Sequence, residues 1–104
     1  MKTLTHEELK KMLDKGEVTL IEVLDEEKYN ESHIKGAINI PLDRISTETK
    51  SRFDKDDPIV VYCSDEDCTA SPTAGKKLED IGFQNVYHFE GGKKEWKEAG
   101  LPME

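Results

Sequence analysis

At 104 residues and 35% apolar content, the chain is long enough for one domain with a modest core. Its net charge of −8, from 23 acids against 15 bases, provides no basic stripe to follow phosphates, so neither nucleic acid nor an anionic membrane surface is expected as a partner. No apolar run reaches the length of a membrane span, and Met1 to Thr5 lacks the apolar segment of a signal peptide, so a cytoplasmic protein with reduced thiols is expected.

Thr5 and Glu8 are spaced as a capping box, with Leu4 and Leu9 as a hydrophobic staple. Leu9, Met12 and Leu13 make a buried stripe on the helix that follows, which Gly16 ends as a left-handed cap. Val18 to Val23 reads as a strand, and Asp25 to Ser32 as a short polar helix or helical turn. Ala37 to Ile40 reads as a brief strand stopped by Pro41. Asp43 is a candidate cap for a further short helix, and the polar stretch Ser46 to Asp57 has no pattern that fixes its course. Ile59 to Tyr62 is an apolar, β-branched run expected to form the central buried strand. Ser71 to Ile81 reads as a helix ended by Gly82, Val86 to Phe89 as a last strand, and Gly92 to Ala99 as a last helix capped by Gly100. Strands separated by helical segments imply crossover connections. The expected fold is therefore one α/β domain over residues 1–104, a mostly parallel central sheet with helices on both faces.

The central strand delivers Cys63 to the loop Ser64, Asp65, Glu66, Asp67, Cys68, Thr69 and Ala70, after which Ser71 and Pro72 read as the N-cap and first position of a helix. A thiol between a strand's carboxyl end and a helix N-terminus faces free backbone N–H groups and a dipole that favours negative charge. Thiolate is the reactive form, and open α/β sheets bind ligands at the carboxyl ends of their strands. Cys63 is therefore the candidate nucleophile, weighed against a small buried cysteine that merely packs as a hydrophobe.

Three stretches together resemble the rhodanese family of sulfurtransferases. His33-Ile34-Lys35-Gly36-Ala37 with Asn39-Ile40-Pro41 is similar to its N-terminal signature, and Val60-Val61-Tyr62-Cys63 to its active-site strand and nucleophile. Phe83 to Val86, Glu90-Gly91-Gly92, Trp96 and Ala99-Gly100-Leu101-Pro102 are similar to its C-terminal signature. The resemblance implies a rhodanese-like domain in which the Cys63 thiolate takes a sulfane sulfur from a small-molecule or protein donor. It would hold the sulfur as a persulfide and pass it to a thiophilic acceptor, without metal or organic cofactor. Residues 64–70 would form the active-site loop whose N–H groups stabilise the anion.

The departures from the family pattern are specific. Glu22-Val23-Leu24 stands where many members carry Asp-Val-Arg, which removes that arginine's ion pair. If Ser71 matches the family's serine, the loop is two residues longer than the common form, and it lacks the usual glycine and arginine. With no loop arginine to grip phosphate, phosphatase chemistry is disfavoured. A carboxylate ~7 Å from the sulfur in near-bulk water repels the thiolate by about 0.6 kcal/mol, so Asp65, Glu66 and Asp67 together cost about 2 kcal/mol. One N–H bond to the charged sulfur is worth about 1.5–3 kcal/mol, so a cupped loop keeps Cys63 reactive. The same acids repel an incoming dianion, so poor thiosulfate turnover is expected.

Cys68 reads either as a thiol that resolves a Cys63 persulfide or sulfenate, or as a passive loop residue. A zinc site from both cysteines would need further ligands, with His88 the only candidate; His88 is expected on a half-exposed strand and no metal is expected. His33 reads as a structural histidine bonding a backbone turn at Gly36-Ala37, Trp96 as packing the last helix onto the sheet, and Gly91-Gly92 as a tight strand-to-helix turn. Two alternatives to a sulfurtransferase stay open. One is a non-catalytic binding or regulatory module of the same fold, and the other a thiol–disulfide redox protein using Cys63 and Cys68.

Overall fold

Period-two alternation in the central strands sets the layering. In the computed structural model, which describes residues 1–104, the strands are β1 (Lys2–Thr3), β2 (Thr19–Glu22), β3 (Ile38–Asn39), β4 (Ile59–Tyr62) and β5 (Val86–His88). They form one sheet in the order β1-β5-β4-β2-β3, with every neighbouring pair parallel. The helices are α1 (His6–Asp14), α2 (Glu26–Glu31), α3 (Ile45–Arg52), α4 (Ala70–Asp80) and α5 (Gly92–Glu98), with a 3-10 turn at Leu42–Arg44.

Successive residues of β2 and β4 point to opposite faces. Ile21, Val23, Ile59, Val61 and Cys63 pack with Ile45 of α3 and with Ala74 and Leu78 of α4. Leu20, Val60 and Tyr62 face the other way, onto Leu9 of α1 and Trp96 of α5. A sheet covered on both faces explains why β4 is apolar at every position rather than alternating. Each large aliphatic side chain fully buried there contributes about 1.5–3 kcal/mol.

The capping box at Thr5 and Glu8 forms as expected, and Leu4 and Leu9 are buried in one cluster. Four details differ from the sequence reading. The edge strand β1 has no sequence signal, because its two residues are exposed and it forms by parallel backbone pairing with Tyr87 and His88. The stretch from Ser46 resolves into α3, which buries Ile45 and Thr49. Asp43 lies inside the 3-10 turn, and Arg44, not Asp43, precedes α3, without a side-chain cap. Helix α4 starts earlier than Ser71: Thr69 is its N-cap, so Ser71 and Pro72 sit in its first turn. Proline is tolerated there because its missing N–H is one of the groups without an intrahelical partner.

The N- and C-terminal signature segments meet in space. His33 and Glu104 exchange backbone hydrogen bonds of 3.0 and 2.7 Å, and Lys35 N–H donates to the Pro102 carbonyl at 3.1 Å. Trp96 Nε1–H also donates to Pro102 at 2.8 Å. His33 is structural, as expected, but its partner is the Tyr29 carbonyl at 3.0 Å rather than the Gly36-Ala37 turn, and its ring stacks on Tyr29.

Candidate active site

Strand register brings the site together. Val61 of β4 pairs with His88 of β5, so Cys63, two residues beyond Val61 and just past the end of β4, shares the α4 face with His88. Cys63 is 1% exposed, Ser71 1% and His88 8%. Ser71 Oγ lies 3.2 Å from Cys63 Sγ and 2.8 Å from His88 Nε2, a continuous buried chain from sulfur to imidazole. Burial holds the His88 pKa below its ordinary value, only partly countered by the charge of Glu90, so the ring is neutral near pH 7. If Nε2–H donates to Ser71 Oγ, the serine hydroxyl is free to donate to a sulfur anion. If Nε2 accepts instead, Ser71 accepts from a thiol S–H. Either arrangement gives the sulfur a polar partner in an otherwise apolar pocket.

This chain corrects two sequence expectations: His88 is buried rather than half-exposed, and Ser71 faces the sulfur rather than capping the helix. The available signal was the period of β5, where Val86 and His88 take the same face while Tyr87 takes the other.

Cys63 and Cys68 are joined by a disulfide, with their Cα atoms 6.4 Å apart. The loop that returns Cys68 to Cys63 is organised by Asp65. Its carbonyl accepts from Cys68 N–H at 3.2 Å and its carboxylate from Asp67 N–H at 3.0 Å. These two amides are therefore engaged within the loop. Ser64, Glu66, Asp67 and Thr69 are exposed, whereas Asp65, Cys68 and Ala70 are half-buried.

Helix α5 docks end-on against the loop. Lys93 N–H donates to the Cys63 carbonyl and Lys94 N–H to the Ser64 carbonyl, both at 3.0 Å. Gly92, with φ +61, makes this possible: a Cβ there would overlap the Cys63 carbonyl oxygen and sit 2.9 Å from Ser64 C and 3.0 Å from Asp65 N. Gly91-Gly92 is thus a close backbone approach as well as the expected turn. Asp65, Glu66, Asp67, Gly91, Lys94, Glu95 and Glu98 line a groove of ≈160 Å³ beside the loop. Lys94 is a cation that adjacency in the sequence did not reveal, but the acids around it outnumber it.

Beneath the site, Glu22 is fully buried at the end of β2. Tyr62 donates to its Oε1 at 2.8 Å and itself accepts from Ile34 N–H at 3.2 Å. Lys93 Nζ, whose hydrogen bond goes to the Lys28 carbonyl at 2.9 Å, lies 3.0 Å from Glu22 Oε2. The cation beside Glu22 thus comes from α5. Burial raises the Glu22 carboxyl above its ordinary value despite Lys93 and Tyr62, and burial beside Glu22 pushes Tyr62 far up.

A family model described as rhodanese-like domain matches residues 5–99. An HTH-type transcriptional regulator of Mycobacterium tuberculosis is 37% identical over 97% of this chain, which spans 44% of the regulator's length. The thiosulfate sulfurtransferase GlpE of Coxiella burnetii is 29% identical, over 92% of this chain and 87% of the enzyme. Among solved structures, the rhodanese-like domain of the Anabaena Alr3790 protein superposes with a TM-score of 0.88 at 30% identity, covering 100% of this chain and 79% of that one. The family model and the likeness to GlpE support a sulfurtransferase-type function.

Proposed function

The chain belongs to the rhodanese-like domain family, and we propose that it is a sulfurtransferase that carries a sulfane sulfur as a persulfide on Cys63. The observation that carries this reading is the buried line from Cys63 Sγ through Ser71 Oγ to His88 Nε2, at the carboxyl end of the central strand. A cysteine that only packed would have no use for a serine and a neutral imidazole aligned behind its sulfur.

The reduced Cys63 thiolate attacks the outer sulfur of a donor, and the donor's remainder leaves with the bonding electron pair. A thiophilic acceptor then attacks the outer sulfur of the Cys63 persulfide and returns the thiolate. With His88 Nε2–H donating to Ser71 Oγ, the serine hydroxyl donates to the Cys63 thiolate, the form that attacks the donor. Free N–H groups of Ser64 to Ala70 add to this once the loop is reduced. The acids of the loop and of α5 disfavour thiosulfate, so the donor is a low-molecular-weight or protein persulfide. No cofactor takes part.

Thiocyanate formation from cyanide, with a low-molecular-weight persulfide as donor, tests the reading in Cys68→Ser protein, where no loop disulfide can form. Activity lost on adding Cys63→Ser supports it. Equal rates with and without Cys63 reject it.

A second reading, a regulatory module without turnover, has one observation in its favour: a closely similar segment lies within a transcriptional regulator. That reading requires Cys63 to alkylate no faster than an ordinary thiol of pKa ~8.5.

A further inference from the structure

The loop disulfide has a chemical consequence. It occupies the atom that the persulfide needs, so the two states exclude one another, and the reaction that connects them releases sulfide. Resting on the persulfide reading above, we infer that Cys68 discharges the Cys63 persulfide within the chain, which makes the protein a sulfide-releasing persulfide reductase.

The Cys68 thiolate attacks Cys63 Sγ, and the bond between the two Sγ atoms forms. The bond from Cys63 Sγ to the outer sulfur breaks, and the outer sulfur, carrying its proton, leaves with the electron pair as hydrosulfide. The sulfane sulfur is reduced, and the two cysteine sulfurs are oxidised to the disulfide. A dithiol then reduces the disulfide by exchange, restoring both thiols and becoming a disulfide itself.

Three features of the structure serve this step. The Asp65-centred turn brings Cys68 within bridging distance, with Cα atoms 6.4 Å apart, while Cys63 keeps its place at the strand end. In the disulfide state the Cys63 carbonyl is still held by Lys93 N–H, and its sulfur still touches Ser71. The disulfide is therefore compatible with the buried pocket around Cys63. The acids lining the groove, Asp65, Glu66, Asp67, Glu95 and Glu98, favour the protonated persulfide over its anion and repel the departing hydrosulfide from the site. An acidic loop that hinders anionic donors thus favours release of an anionic product.

A single-turnover experiment with reduced protein and a low-molecular-weight persulfide, in the absence of other reductant, tests this. Wild type is expected to release one equivalent of sulfide per chain and to finish two hydrogens lighter by intact mass. Cys68→Ser is expected to lose the sulfide burst and to finish one sulfur atom heavier. Added dithiol should restore repeated turnover in wild type. A wild-type protein that keeps the extra sulfur and releases no sulfide overturns the inference and leaves the persulfide reading standing. A Cys68→Ser protein that instead gains the donor's organic group overturns both, because the sulfur would then never have been carried on Cys63.

Discussion

Ser71 and His88 carry the finest-grained claim. A hydrogen bond to a charged acceptor is worth about 1.5–3 kcal/mol, so Ser71→Ala should shift the pH midpoint of Cys63 alkylation upward by roughly one to two units. His88→Asn should produce a smaller shift in the same direction, since it acts only through Ser71. An unchanged midpoint in Ser71→Ala would show that the serine is packing alone. Reduced protein and a pH series of iodoacetamide rates supply the measurement. The sequence located the cysteine because a strand followed by a loop and a helix is a local pattern. It missed His88 because burial of a polar residue depends on what a distant helix presents, and only Ser71 makes that burial tolerable.

The Glu22 and Lys93 pair gives a prediction on pH. The Glu22 carboxyl is raised above 4.5 by burial, so protonated Glu22 favours the fold. Its contribution is present below that ordinary value and is lost as pH rises through the folded value. Lys93→Met removes the cation that partly offsets burial, so the loss should become steeper and Tm at pH 7 should fall by about 10 °C. Glu22→Gln should flatten the dependence over the same range. Thermal melts of both variants from acid to neutral pH decide the point, and parallel curves for Lys93→Met and wild type would contradict it.

Among the elements, the loop from 64 to 70 and helix α5 behave as one unit. The helix binds the Cys63 and Ser64 carbonyls through the amides of Lys93 and Lys94, and Gly92 allows the approach. Gly92→Ala adds both a left-handed backbone penalty and a clash with main-chain atoms that have no room to yield. The expected cost is about 2–3 kcal/mol, with slower Cys63 alkylation as the loop shifts. Gly100→Ala carries the same backbone penalty with open space around its Cβ, so it should cost less and leave alkylation unchanged. Equal effects of the two substitutions would show that close approach at Gly92 is unimportant. Most elements were legible because caps and apolar spacing announce them, as at Thr5 and Glu8. The start of α4 was misplaced because Thr69 makes no side-chain cap, leaving Ser71 as the more obvious signal. Helix α3 was hidden because only Ile45 and Thr49 of its length are buried, too few to make a period.

At the scale of the whole molecule, the layered parallel sheet was legible because strands and helices alternate, and the family because three signature stretches, His33 to Pro41, Val60 to Cys63 and Phe83 to Pro102, stand in order. What sequence proximity concealed is the assembly of charge around the site, where α5 contributes Lys94, Glu95 and Glu98 to the groove beside the loop. With a net charge of −8, the molecule repels dianions at long range as well. Neutralising two exposed loop acids in Glu66→Gln/Asp67→Asn, which leaves the Asp65 turn in place, should raise thiosulfate kcat/KM by about fivefold. Added salt should narrow the difference between the variant and wild type. A variant no better with thiosulfate than wild type would remove charge as the cause of donor preference.

The central claim is that Cys63 carries the sulfur, and intact-mass spectrometry tests it most directly. Reduced Cys68→Ser and Cys63→Ser proteins are each treated with a low-molecular-weight persulfide, desalted, weighed, and weighed again after cyanide. The account predicts that Cys68→Ser gains one sulfur atom that cyanide removes, while Cys63→Ser gains none. The same gain in Cys63→Ser, or no gain in Cys68→Ser, would contradict it.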